Sequence, residues 1–118
     1  NTPRDALSRM EQMVGMAGMP MTHESIRAQI ASAIDIIVQT QRLSDGGRRV
    51  VSISEITGME GNVVQLQEIY HFIRRDVAAD GTIIGEFRAT GVRPRFAQEA
   101  ATQGHHFAKD AFNPQVAL

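Results

Sequence analysis

The chain contains no cysteine. That excludes a disulfide framework, a thiolate metal site and a cysteine nucleophile, and it fits a cytosolic protein. Lysine occurs once, at Lys109. Glycines, lysine and Ser/Thr never come together in the Gly-x-x-x-x-Gly-Lys-Ser/Thr spacing that cradles phosphates, and a Gly-x-Ser-x-Gly elbow is also missing. No apolar run approaches the roughly 20 residues of a membrane span, and no signal peptide is present. The net charge is −1, so there is no electrostatic case for nucleic acid or an anionic membrane. The 118 residues are 42% hydrophobic and 21% charged, which reads as one soluble domain with a core of its own.

Arg48–Arg75, RRVVSISEITGMEGNVVQLQEIYHFIRR, organises the rest. Two runs rich in β-branched and aromatic residues flank Thr57-Gly58-Met59-Glu60-Gly61-Asn62, where the glycines and Asn62 accept positive φ. The pattern predicts antiparallel strands over about 49–56 and 63–72, joined by that short loop. Alternation puts Val64, Leu66, Tyr70 and Phe72 on one buried face and Gln65, Gln67 and His71 on the other, with Val63 and Ile69 softening the pattern.

Upstream, Thr2-Pro3-Arg4-Asp5 is a capping-box variant with Asp at the third helical position. It opens a helix predicted over 3–16 and stopped by Gly15 or Gly18. Met10, Met13, Met16 and Met19 recur every third residue. That spacing suits a thioether site for Cu(I) or adaptable packing; packing is expected, because the glycines end the helix before Met19 lines up. A second helix is predicted over 23–43, capped by Thr22, with Ile26, Ile30, Ile34, Ile37 and Val38 as its apolar stripe. Ser44-Asp45-Gly46-Gly47 turns into the first strand, and Asp80-Gly81 turns into a third over 82–88. The expected fold class is α/β: two N-terminal helices, a three-stranded antiparallel meander and a short C-terminal helix from Pro94 to about Gln103, closed by Gly104. Residues 1–104 form the domain. Residues 105–118 read as a C-terminal tail that is ordered and then frays.

Candidate chemistry is sparse. Adjacent His105 and His106 point different ways, so a metal there is not expected, and His23 and His71 stand alone. Arg48-Arg49 and Arg74-Arg75 bracket the hairpin as solvated strand ends or as an anion or partner contact, since arginine forks suit phosphate and carboxylate. Glu55 and Glu68 lie in apolar runs and are expected to face solvent or pair with an arginine.

Three stretches together carry a resemblance: NTPRDALSRMEQMV, IRAQIASAIDIIVQTQRLSDGGRRVVSISEITGMEG and VQLQEIYHF. In order and spacing they resemble the C-terminal part of the type II/IV secretion system ATPases, with the CpaF-type ATPase of tight-adherence (Flp) pilus assembly as the closest likeness. The likeness runs from Asn1 to about Phe96, and GEFRATGVRPRF fits its end more loosely. In that family the leading Asn-Thr-Pro-Arg-Asp-Ala-Leu follows a His-box strand, and the P-loop and acidic boxes lie further upstream. The start at Asn1 rather than methionine agrees with a piece cut from a RecA-like motor.

The resemblance implies that Asn1, Thr2 and Arg4 lie near the nucleotide and the subunit boundary. Arg42, Arg48 and Arg49 match the family's Arg-x-x-Asp-Gly-x-Arg-Arg pattern and, with Glu55, are interface candidates. It implies a P-loop NTPase parent that uses ATP and Mg²⁺ and is a homo-oligomer, a hexamer in the family. The implied place is cytoplasmic, peripheral to the bacterial inner membrane beside pilus or secretion platform proteins, with no nucleic acid partner. The chain alone is expected to bind neither ATP nor Mg²⁺, to hydrolyse no ATP, and to self-associate through apolar surface left bare. The other function class is a non-enzymatic interaction or assembly module.

Overall fold

The first helix is set by its cap. Thr2 Oγ1 accepts from Asp5 N at 3.1 Å, and the Asp5 carboxylate accepts from Thr2 N at 3.1 Å, closing a capping box ahead of α1 (Pro3–Met16). Thr22 caps α2 (His23–Ala33) through Ser25 N. A computed structural model describes residues 2–18 and 20–116. Met19 lies outside that range; Met10 packs into the core, while Met13 and Met16 are 66% and 85% exposed.

The second helix does not reach Leu43. It stops at Ala33, Ile34 turns to extended backbone, and β1 (Ile36–Arg42) follows. Ile34, Ile37 and Val38 satisfy a helical stripe and a strand run equally well. Pairing with β2 decides for the strand, and the β-branched side chains between Ile34 and Thr40 pack well on the pleated surface that results. The sheet therefore has four strands rather than three: β1, β2 (Arg48–Glu60), β3 (Val63–Val77) and β4 (Ile83–Ala89), in that spatial order and antiparallel throughout. The expected six-residue break shrinks to Gly61-Asn62, with Gly61 at φ 59°, because 58–60 still pair with β3 and Thr57 is a bulge residue within β2. After β4, Pro94 stands at the N-cap of α3 (Arg95–Thr102), and Gly104 follows it at φ 85°.

The long hairpin β2–β3 is bulged. Ile53 pairs with Tyr70 and Ser54 with Glu68, so Ile69 is the extra residue. A bulge of one residue switches the parity of every side chain beyond it. Val64 and Leu66 therefore meet the helices, whereas Tyr70 and Phe72 point to the opposite face; the four do not share a face as alternation alone predicts. One layer of the core joins Leu7, Ile26, Ile30, Ile56 and Val64, with Met10, Ile37, Met59 and Leu66 against it. The outer face carries Ile36, Ile53, Glu55, Tyr70, Phe72 and Phe87 and is covered at one end by α3 and the tail. The result is an open slab of 54 × 39 × 21 Å with a radius of gyration of 17.1 Å. A closed domain of this length would have roughly 13–14 Å.

Ile69 is 0% exposed, the deepest apolar side chain among the described residues. Ile69→Ala is expected to lower stability by about 2–5 kcal/mol through lost burial and a residual cavity, whereas Val63→Ala, at a position 51% exposed, costs far less. Urea titrations of both variants check this, and equal midpoints would reject the burial of Ile69.

Candidate functional site

Polar side chains converge at several places among the described residues, and three of these fasten a turn or a helix start. The first lies between α1, α2 and the hairpin turn. Arg27 donates through Nε and Nη2 to the two Glu11 oxygens, at 2.5 and 3.4 Å, and through Nη1 to Asn62 O at 2.7 Å. Asn62 Nδ2 donates to Glu24 Oε1 at 3.1 Å. The planar fork of arginine suits this, since it meets a carboxylate with two donors and keeps one for a carbonyl. Arg4 lines the cleft of about 180 Å³ beside this network.

The second place is built on Glu55. Its side chain points to the outer face, where α3 begins, and the residue is 4% exposed. Oε1 accepts from Arg95 N at 2.8 Å and from Gln67 Nε2 at 3.0 Å, and Oε2 accepts from Phe96 N at 2.8 Å. Pro94 has no side-chain oxygen to cap α3, so the carboxylate from β2 supplies what the helix N-terminus lacks, with the helix dipole favouring its charge. Arg95 Nη1 donates to Thr57 O and fastens the same corner. A cleft of about 420 Å³ opens beside it, lined by Asp35, Glu55, Thr57, Arg95 and Glu99 among others.

The third place is the far end of the sheet. Arg42 and Arg48 are paired directly across β1 and β2, both exposed, and Arg49 lies 5.3 Å from the Phe72 ring centre. Asp45 organises the turn between them. Its Oδ2 accepts from Ile83 N at 2.9 Å and its Oδ1 from Gly47 N at 2.9 Å, which ties the β1–β2 turn to β4. These amides, Ile83 first, hold the Asp45 pKa below the ordinary carboxylate value.

Of the residues singled out from sequence, Asn1 lies outside the described residues. Thr2 is occupied as a cap and Arg4 faces the Arg27 cleft, while Arg42, Arg48 and Arg49 gather at the opposite sheet end. Glu55 belongs to a third corner and meets the Arg95 and Phe96 amides rather than solvent or a guanidinium. The sequence reading missed Arg27, Arg95 and Asp45. Asp45 stood in a recognised turn, but its second partner, Ile83, is 38 residues away.

The start of α1 is closed by its own carboxylate, Asp5, which would oppose a phosphate there. No cluster of three His, Cys, Asp or Glu able to hold a metal occurs among the described residues. Ser52 donates to Glu68 Oε2 at 2.8 Å, and His71 Nδ1 lies 3.5 Å from Glu68 Oε1. The carboxylate stands between serine and histidine, so the histidine does not act on the hydroxyl and no activated nucleophile results. No helix among the described residues is long and apolar enough to cross a membrane. No protein-family model and no curated protein matches the chain.

Asp45 gives a pH-dependent prediction. A carboxyl whose pKa is lowered by folding adds stability above its unfolded pKa, and that stability is lost as pH falls through the folded value. The stability difference between the wild type and Asp45→Asn should hold steady from about pH 5 upward and shrink below about pH 4. Urea titrations at neutral and acid pH measure it; a difference undiminished in acid refutes the role. Glu55→Ala leaves three donors without their acceptor and is expected to cost about 2–4 kcal/mol. Amide exchange should rise across α3 while α1 and α2 stay protected, and unchanged protection of α3 would count against the clamp.

Proposed function

We propose that this chain is part of a secretion-type ATPase motor, the segment that packs behind a RecA-like nucleotide-binding sheet and contributes to the boundary between subunits. One observation carries the reading. The three stretches that resemble the CpaF-type ATPases border one cleft: Arg27 of the second binds Glu11 of the first and the carbonyl of Asn62, which lies between the second and third, and Val64 of the third lines the cleft beside them. Residues far apart in sequence thus resemble the family jointly and also join in one cleft. In this reading the chain supplies support and contact surface, and the phosphoryl chemistry belongs to parts outside residues 1–118. The exposed, directly opposed Arg42 and Arg48 suit a contact with an acidic surface of a neighbouring subunit, since like charges across a strand pair cost stability without a counter-charge.

A second reading, an assembly module without catalysis, is favoured by the open slab. Val38 on edge strand β1 and Ile84 on edge strand β4 are 55% and 49% exposed, and such edges invite pairing. The two readings separate on one comparison. Phosphate release with ATP and Mg²⁺ is measured for the 118-residue chain and for a polypeptide extended upstream as its coding sequence directs. The expected result is no turnover by the chain alone and turnover by the extended polypeptide, whose added part should contain Gly-x-x-x-x-Gly-Lys-Ser/Thr. An extended polypeptide without that motif supports the module. Turnover by the 118-residue chain itself overturns the division of labour proposed here.

A further inference from the structure

Five of the six aromatic residues form a connected series on the outer sheet face, and two of them belong to the tail. Phe112 lies 5.9 Å from Tyr70 and 6.2 Å from Phe96, with the Arg93 guanidinium 6.0 Å from its ring centre. Tyr70 Oη donates to Ala111 O at 2.7 Å, and Arg88 Nη1 donates to Pro114 O at 2.9 Å. Glu86 holds Arg88 in place through its Nε at 2.6 Å. The segment Ala111–Pro114 is thus held by one aromatic anchor and two main-chain carbonyls, the means by which a groove binds a peptide ligand. The run that leads to it, 103–110, is exposed and contains no helix or strand. Gly104, at φ 85° with open space around it, stands at its start.

We propose that Tyr70, Phe96, Arg88 and Arg93 form a peptide-binding groove, occupied in this chain by its own tail and open to the same tail from a second copy. The contacts are identical in both cases, because each groove meets the same Phe112 and the same carbonyls. Exchange therefore changes only the course of the connection from Gly104, with Phe107 meeting the second copy's Phe96 as it meets its own, the condition under which swapping of a segment is easy. The groove lies on the sheet face opposite the Arg27 cleft, so the inference is independent of the motor reading.

The probe is a fluorescent peptide of residues 105–116, titrated into the full chain and into full-chain Phe112→Ala. Tethering gives the resident tail an effective concentration in the millimolar range, so the wild-type groove is masked. The Phe112→Ala chain should bind the peptide about tenfold more tightly than the wild type. Adding Tyr70→Phe should reverse most of that gain, and a peptide carrying Phe112→Ala should not bind. Equal binding by the wild type and a folded Phe112→Ala chain overturns the proposal. A second measurement needs no variant of the protein. Lys109 is the only lysine, so a lysine-specific endoprotease cuts the chain only in the connection. Excess peptide bearing Lys109→Arg should displace the tail and speed that cut several-fold, whereas an unchanged rate overturns the proposal.

Discussion

A strand alternates its side chains between two faces, so an unbulged β3 would set Val64, Leu66, Tyr70 and Phe72 on one face. The extra residue Ile69 breaks that alternation. Before it, Val64 and Leu66 face α1 and α2; beyond it, Tyr70 and Phe72 face the other way, into the aromatic layer. Ile69 itself is fully buried. One long hairpin thus carries helices on one face and a helix with a tail on the other.

The corners are fastened by charged groups that span long sequence distances. Arg27 binds the hairpin turn to both helices, Glu55 binds β2 to the start of α3, and Asp45 binds the β1–β2 turn to β4. In each, an ionised side chain meets main-chain amides or carbonyls, where charge-assisted hydrogen bonds are strongest. Helix α3 shows why this matters. It is eight residues long with Pro94 as its cap residue, too short to persist on propensity alone. Its orientation comes from the Glu55 carboxylate and from Phe96 packing against Phe107 and Phe112. The support that the proposed motor role asks of this chain is rigidity of this kind, in a slab whose remaining edges and Met13, Met16, Val38 and Ile84 stay available for contact.

Much of the fold was legible in local signals. The Thr2–Asp5 box and Thr22 marked the helix starts, Asp45-Gly46 and Asp80-Gly81 marked turns, and β-branched runs marked the hairpin. These depend on residues within about four positions of each other, so the sequence alone determines them, along with the missing phosphate loop and thiols. Tertiary structure decided the rest. Ile34, Ile37 and Val38 fit a helix or a strand, and only pairing of β1 with β2 resolved them. The parity of Tyr70 was set by the partner of Ser54 across the hairpin. Glu55 became a helix clamp because the main chain returned 40 residues later with two unpaired amides. Composition cannot report such meetings, because hydrogen bonding depends on where two distant groups lie and not on what either of them is.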